Sequence, residues 1–162
     1  MTTDPAQAAG KRRRALAAAT RYAGALALLA VGLDHLQQYA EDSYSVIPTI
    51  GTLFALNFAS AAVITACLFA PVQKLPGRAG RLAVPLLALS GVAVAAGALA
   101  GLFVSETSGL FGFMETGYRS AIVVSIVLDV ATIALLGGHL LLRREIVTSN
   151  PRTVPSQSPR IS

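Results

Sequence analysis

The chain has 162 residues, of which 54% are hydrophobic and 13% are charged, and its mean hydropathy is +0.62. Soluble domains carry about 25% charged residues, so this composition cannot cover a water-facing surface and indicates a membrane protein. The single cysteine, Cys67, excludes an intramolecular disulfide and any metal or redox site built on a cysteine pair.

Four predominantly apolar segments are long enough to cross a bilayer, which needs roughly 20 residues per helix. In chain order they are residues 15–36, 50–72, 82–104 and 121–142. Lipid offers the backbone no hydrogen-bond partner, and four segments are too few for a closed barrel, so each is predicted to be a helix. The predicted fold is an all-α membrane protein, an antiparallel four-helix transmembrane bundle. The polar flanks, residues 1–14 and 143–162, are expected to be disordered.

Proline and glycine mark the boundary between the second and third spans. Pro71 closes the second span, and Pro85 is predicted to lie in the first turn of the third, where its missing N–H costs least. The loop between them, residues 73–81, contains Pro76 and Gly77, which favour a tight turn. We therefore expect helices two and three to form a hairpin.

The basic residues predict the orientation of the chain. Every Lys and Arg except Arg119 lies in the N-terminal segment, in the loop between spans two and three, or in the C-terminal tail. The positive-inside rule places these segments, and hence both termini, in the cytoplasm of a plasma-membrane protein. No nucleic-acid-binding motif surrounds the basic residues. The apolar region after residues 11–14 is too long for a secretory signal, so we expect it to be retained as the first helix.

Four polar residues lie in the outer halves of the predicted spans. From the helical rise, Asn57 and Asp129 lie deeper below the outer end of their spans than Asp34 and His35 do. Ionisable residues inside a membrane usually face the bundle interior, a water-filled cavity or a partner charge. These four residues predict one of two arrangements. They form either a polar pocket open to the outside or a hydrogen-bond network that only fixes helix packing, with an Asn57–Asp129 bond as one example.

Two acids in the predicted outer loop region, Glu106 and Glu115, would lie at the mouth of such a pocket. No metal or cofactor is expected, because one histidine with scattered carboxylates does not form a metal site. His35 and His139 would be some 20 Å apart along the helices, too far to ligate one haem iron. His139 is interpreted as part of the cytoplasmic interfacial anchor.

The third span contains Gly97 and Gly101, whose spacing lets two helix backbones approach closely. This motif predicts helix packing, either within the bundle or between two copies of the chain.

Three pieces of the sequence resemble a group of small four-helix membrane proteins from actinobacteria. They are His35-Leu36, the run Tyr44-x-x-Ile-Pro-x-Ile-Gly-x-Leu-Phe-x-Leu-Asn ending at Asn57, and Leu110-Phe-Gly-Phe-x-Glu ending at Glu115. The resemblance covers residues 33 to about 136. It implies the four-helix topology and no reaction, because the group has no assigned activity.

The sequence contains no catalytic pattern such as a Gly-rich phosphate loop, HExxH or GxSxG. We therefore expect a non-enzymatic accessory or scaffold subunit of a cell-envelope assembly. Its partners would be the lipid bilayer and either another membrane protein or further copies of the chain. The alternative is a small oligomeric transporter, or a protein that binds an ion or small ligand in the outward-facing pocket. A third interpretation is an enzyme that acts on a lipid through His35 and Glu115.

Overall fold

The computed structural model describes residues 5–41, 48–109 and 120–148, and every regular element in these ranges is helical. The long helices are α1 (Pro5–Glu41), α2 (Pro48–Phe69), α3 (Gly77–Thr107) and α4 (Ser120–Thr148), with a short 3-10 helix at Val72–Lys74. Each of these four helices is long and apolar enough to cross a membrane. The prediction of an all-α bundle with four helices long and apolar enough to span a membrane is confirmed.

Three of the helices extend beyond the predicted spans. α1 begins at Pro5, so residues 5–14 are helical although the sequence analysis assigned them to a disordered segment. This segment is rich in Ala, Lys and Arg, which favour helix, and proline is well tolerated at a first helical position. The first six residues of the C-terminal tail, 143–148, likewise belong to α4. A span prediction includes only the apolar residues that lie in the hydrocarbon core, whereas the helix continues into the polar interface beyond it.

The third helix also begins earlier than predicted, at Gly77, and this places Pro85 inside the helix and not in its first turn. Because proline has no N–H, the carbonyl of Arg81, four residues earlier, loses its helical partner. Arg143 of α4 replaces that partner, with its Nη2 donating to the Arg81 carbonyl oxygen at 2.9 Å. The helix therefore continues through the proline with this carbonyl satisfied.

The connection between α2 and α3 is short, as the sequence predicts. α2 ends at Phe69, two residues before Pro71. Gly77 adopts a φ of 66°, which a residue with a side chain rarely does, and this turn leads the chain directly into α3. The short connection keeps the two helices side by side at this end of the bundle.

α1 packs against α2 through small residues and one side-chain hydrogen bond. Thr65 Oγ1 donates to the carbonyl oxygen of Ala25 at 3.0 Å. Farther along α1, a Cβ atom built on Gly32 would lie only 2.8 Å from the Cβ of Ala61. The residue numbers of these contacting pairs rise along α1 and fall along α2.

α1 packs against α4 in the same sense. Gly24 lies against Leu136, where an added Cβ would come within 2.6 Å of a Leu136 methyl carbon. Near the other end of α1, Gln38 Nε2 and Ser125 Oγ are 2.9 Å apart. Here too the residue numbers rise along α1 as they fall along its neighbour.

The interior combines small residues with a few large ones, while many large apolar side chains point outward. The buried core cluster consists of Ala25, Leu28, Ala61, Ile64, Leu68, Val84, Ala88 and Leu136. Leu26, Val63, Phe103 and Val127 are among the exposed large hydrophobic residues. Small interior residues allow helix backbones to approach closely, and outward-facing apolar side chains suit a lipid environment.

Candidate functional site

A cavity of about 400 Å³ lies between the four helices, within the range of small-molecule sites, about 300–1,000 Å³. It is lined by the C-terminal parts of α1 and α3 and by the N-terminal parts of α2 and α4. This is the end of the bundle opposite the α2–α3 connection. The polar residues that line it are His35, Gln38, Asn57, Ser60, Ser105, Ser125 and Asp129.

The structure brings three of the four predicted intramembrane polar residues to this cavity. His35, Asn57 and Asp129 all line it. Asp34 lies behind the lining, where its Oδ2 accepts hydrogen bonds from Gln38 Nε2 at 2.8 Å and from Ser125 Oγ. Asp34 therefore acts on the cavity through two residues that line it.

The Asp34 network joins α1 to α4. Ser125 Oγ can donate to Asp34 and at the same time accept from Gln38 Nε2, which lies 2.9 Å away. Gln38 is 6% exposed, and Asp34 and Ser125 are half-buried. The network links the two helices beside the cavity.

Asp129 and Asn57 differ from this network because each has a buried oxygen without a partner. Asp129 is 2% exposed, and neither its Oδ1 nor the Oδ1 of Asn57 has a hydrogen-bond partner in the described part of the chain. The predicted Asn57–Asp129 hydrogen bond is thus not formed through either oxygen. A buried polar atom without a partner costs about 1–3 kcal/mol. Two such acceptors on one cavity mark a place where a ligand can donate hydrogen bonds.

His35 is held with one ring nitrogen committed to the backbone. Its Nδ1 lies 2.9 Å from the carbonyl oxygen of Val31. Because a carbonyl can only accept, this contact assigns a proton to Nδ1 and leaves Nε2 as the nitrogen available to the cavity. The imidazole also packs against the Phe54 ring, with centroids 5.0 Å apart. These two contacts fix the orientation of the ring at the cavity wall.

Gly97 and Gly101 line the cavity, and a Cβ atom at Gly97 would meet nothing within 4 Å. Close helix approaches within the bundle occur at other glycines, among them Gly32 against Ala61. Packing between two copies of the chain through Gly97 and Gly101 stays a prediction.

The two acids predicted at the pocket mouth have different outcomes. Glu106 directly follows Ser105, which lines the cavity, so it lies at the correct end of the bundle. Glu115 lies outside the described residues.

No cluster of three or more His, Cys, Asp or Glu side chains suited to a metal occurs in residues 5–41, 48–109 and 120–148. His35 and His139 lie at opposite ends of the bundle, since their contacts are with Val31 and with Ala17, respectively.

Sequence reasoning missed a second buried polar group, at the end that carries the α2–α3 connection. Arg21 is 8% exposed, and its Nη2 donates to the carbonyl oxygens of Leu68 and Ala70, the latter at 3.2 Å. Its Nη1 donates to Gln73 Oε1 at 3.3 Å. The Leu68 carbonyl lies in the last turn of α2, where carbonyls lack helical partners, and the Ala70 carbonyl also accepts from the Val72 backbone N–H at 2.8 Å. A single Arg near the end of an apolar segment was the available signal.

His139 also belongs to this end and is buried inside the bundle instead of anchoring its surface. Its Nδ1 lies 2.8 Å from the carbonyl oxygen of Ala17. The interpretation as an interfacial anchor is therefore wrong in its geometry: the imidazole links α4 to α1.

Comparison of the chain with protein-family models, with curated proteins and with solved structures finds no match. The resemblance to the actinobacterial four-helix group therefore stays a prediction.

Proposed function

We propose that the chain is a multi-pass membrane protein that binds a small ligand in the cavity and catalyses no reaction. A single observation carries this proposal. The Oδ1 atoms of Asp129 and Asn57 are buried and have no hydrogen-bond partner, and both residues line one cavity of about 400 Å³. Such an arrangement lowers the stability of the protein alone and is relieved when a ligand donates to both oxygens.

The same observation favours ligand binding over the predicted scaffold role. A scaffold needs only complementary surfaces, and its interior is more stable with apolar residues than with an unpaired acid. Intramembrane acids are costly and usually serve a ligand, ion or proton pathway. Asp129 is such an acid, since no other described side chain donates to its Oδ1.

A binding role also fits the chemistry around His35 better than catalysis does. The Nδ1 of this residue is committed to the Val31 carbonyl, and the ring packs on Phe54. Among the described hydrogen bonds, none joins the imidazole to a Ser, Thr or Cys side chain that it could activate.

The proposed arrangement in the plasma membrane is antiparallel, with both termini in the cytoplasm and the cavity in the outer half. The contact pairs of α1 with α2 and α4 support the antiparallel order. Positive charge at the opposite end supports the orientation, because Lys74, Arg78 and Arg81 lie at the α2–α3 connection. An ion pair joins Arg13 near the start of α1 to Glu145 near the end of α4, with Nη1 and Oε2 3.3 Å apart. This pair supports the placement of both termini at the same end of the bundle.

Reporter fusions test this orientation. A reporter fused after Ser162 should be active only if it is a type that works in the cytoplasm. Activity of a phosphatase that works only outside the cell would contradict the proposed topology.

Ligand binding can be tested by filling the cavity. Gly97→Leu should place its side chain in the cavity without a clash, because a Cβ there meets nothing within 4 Å. Gly137→Leu is the matched control, since its Cβ position is equally open and it does not line the cavity. The three proteins are purified in mild detergent, and retained small molecules are identified by native mass spectrometry.

We expect the wild type and Gly137→Leu to retain a small molecule that Gly97→Leu loses. Equal retention by all three proteins would contradict binding in the cavity. Recovery of a second membrane protein in place of a small molecule would favour the accessory or scaffold role.

A further inference from the structure

We infer that the ligand is a cationic amphiphile, a molecule with a protonated primary amine and an apolar tail, which reaches the cavity from the membrane between α2 and α3. The inference rests on the proposed function, because it names the chemical class that this same cavity accepts. It combines three features of the cavity: the side on which it opens, the chemistry of its polar end, and the depth of that end.

The cavity reaches the surface of the bundle between α2 and α3. Leu53 and Leu56 of α2 line it and are also 42% and 56% exposed. Across from them, Gly97 of α3 lines the cavity, is exposed, and has open space around its Cβ position. In a membrane this surface contacts acyl chains, so an apolar tail can occupy the opening without leaving hydrocarbon.

The wall next to this opening is apolar and made of small or medium side chains. It is formed by Ile50, Val94, Ala98, Leu102 and Ile122. An apolar tail is stabilised by leaving water, and it gains little by leaving lipid for this wall. The wall therefore accommodates a tail, while the polar end decides which molecule binds.

The polar end offers acceptors and negative charge. The partnerless atoms are the Oδ1 oxygens of Asp129 and Asn57. The amide oxygen of Asn57 can only accept, and the carboxyl oxygen of Asp129 accepts when the group is ionised. Asp34 adds a second carboxyl group just behind Ser125. No Lys or Arg lines the cavity in the described part of the chain.

A protonated primary amine matches this end better than other head groups do. It carries three N–H donors and a positive charge, so it can bond both Oδ1 atoms and balance a carboxylate. An alcohol brings one donor and no charge. A quaternary ammonium brings charge without a donor, and an anionic group is repelled by the two acids.

The depth of the polar end favours a free amine over a phospholipid head group. Asp129 lies about 14 Å along α4 from Ser120, using the helical rise. The amine of a phospholipid is attached to a phosphate, which would have to enter the same region beside Asp129 and Asp34. A single-chain amine carries no such anion.

Binding is tested on the full chain in phosphatidylcholine nanodiscs, a lipid without primary amine. The probes are octylamine, 1-octanol and octyltrimethylammonium, which share the tail and differ in donors and charge. The readouts are the shift of the thermal unfolding midpoint and the dissociation constant from calorimetry, with protein-free nanodiscs as the blank for partitioning into lipid. A parallel series in phosphatidylethanolamine nanodiscs shows whether the lipid amine competes.

We expect octylamine to raise the unfolding midpoint and to bind at least about tenfold more tightly than either other probe, because hydrogen bonds to a charged group are the stronger ones. If octanol binds as tightly as octylamine, the requirement for charge is overturned. If octyltrimethylammonium binds as tightly as octylamine, the requirement for N–H donors is overturned. Loss of octylamine binding only in phosphatidylethanolamine would support the ammonium chemistry, and it would overturn the preference for a free amine over a phospholipid head group.

Two variants connect the probe to the proposed residues. Asp129→Asn should weaken octylamine binding about tenfold or more, since it removes the charge and leaves the shape of the side chain. Glu145→Gln removes an acid from the same helix, away from the cavity, and should leave binding unchanged. If Asp129→Asn does not fold, Asn57→Leu replaces it and should also weaken octylamine, by removing one acceptor. Unchanged octylamine binding in the folded variant would overturn the assignment.

The outcomes separate this inference from the proposed function. If none of the three probes binds and Gly97→Leu still loses a co-purified molecule, the cavity binds a ligand of another class and only the amine assignment is wrong. If none binds and no molecule co-purifies with the wild type, the proposed function is wrong as well.

Discussion

At the end of the bundle that carries the α2–α3 connection, polar side chains donate to backbone carbonyls, whereas at the opposite end buried acceptors line a cavity. Arg21 donates to carbonyls at the end of α2, and Arg143 donates to the carbonyl that Pro85 leaves without its helical partner. Asp129 and Asn57 each keep a buried oxygen without any donor. Polar groups of equal rarity in a membrane interior thus serve structure at one end and remain available at the other.

The two ends also differ in whether residues with an unpaired buried atom make other hydrogen bonds. Arg21 Nε and His139 Nε2 also lack partners, but other atoms of the same side chains bond to the backbone. No hydrogen bond to Asp129 or Asn57 is present among the described residues that could offset the cost of their buried oxygens. Substitutions at both ends of the bundle test this difference.

The largest expected effect is at Arg21. Arg21→Leu removes the side-chain donor to the Leu68 carbonyl, and a carbonyl without a partner is costly in lipid. The Ala70 carbonyl keeps its hydrogen bond from the Val72 backbone N–H. We expect the free energy of unfolding to fall by about 3 kcal/mol, the upper end of the cost of one buried group left unpaired.

Chemical unfolding in detergent micelles measures this effect. Arg14→Leu is the control, because Arg14 is exposed and its loss should change the stability by less than about 0.5 kcal/mol. Similar values for the two variants would show that Arg21 does not support the end of α2.

The next effect compares two glycines. Gly32→Leu should lower the free energy of unfolding by about 2 kcal/mol, in the range for overpacking, because its Cβ would lie 2.8 Å from the Ala61 Cβ and 3.4 Å from the Phe58 backbone. Gly97→Leu should change it by less than about 0.5 kcal/mol, since its Cβ position is open. Thermal unfolding of both variants measures the difference. A large loss at Gly97 would mean that α3 packs there against another helix or a second copy.

A smaller effect, an increase in the free energy of unfolding, is expected at Asp129. Asp129→Leu should raise the free energy of unfolding by about 1 kcal/mol, because it replaces a buried acid lacking a partner with an apolar side chain. Asp34→Leu should lower it by a similar amount, since Asp34 accepts from Gln38 and Ser125. Chemical unfolding of both variants decides this. If both variants lose stability equally, Asp129 contributes to packing as Asp34 does, and the contrast between the two acids fails.

The sequence predicts the number of helices well because apolar length is a property of each segment by itself. It predicts their ends less well, as α1 and α3 show. Whether residues near Gly77 continue a helix depends on what satisfies the backbone around Pro85, and that partner, Arg143, comes from another helix. Such a contact between distant segments has no signal in the local pattern.

The sequence likewise predicts which intramembrane residues are polar and does not predict which of them have hydrogen-bond partners. Intramembrane position alone singles out Asp34, His35, Asn57 and Asp129, because polar groups are rare in apolar segments. It does not separate the satisfied acid from the one without a partner, since Asp34 and Asp129 differ only in what α1 and α4 place beside them. The Gly97 spacing likewise cannot reveal which way α3 turns that face.

The smallest expected effect is the coupling between Asn57 and Asp129. In the protein without ligand, the stability changes of Asn57→Leu and Asp129→Leu should add to within about 0.5 kcal/mol, because no hydrogen bond joins their Oδ1 atoms. In octylamine binding the same two substitutions should be non-additive, since one ammonium would bond both oxygens. A double-mutant cycle measured by unfolding and by calorimetry separates the two cases. Strong coupling in the absence of ligand would mean that the two residues bind each other and that the cavity has no free acceptors.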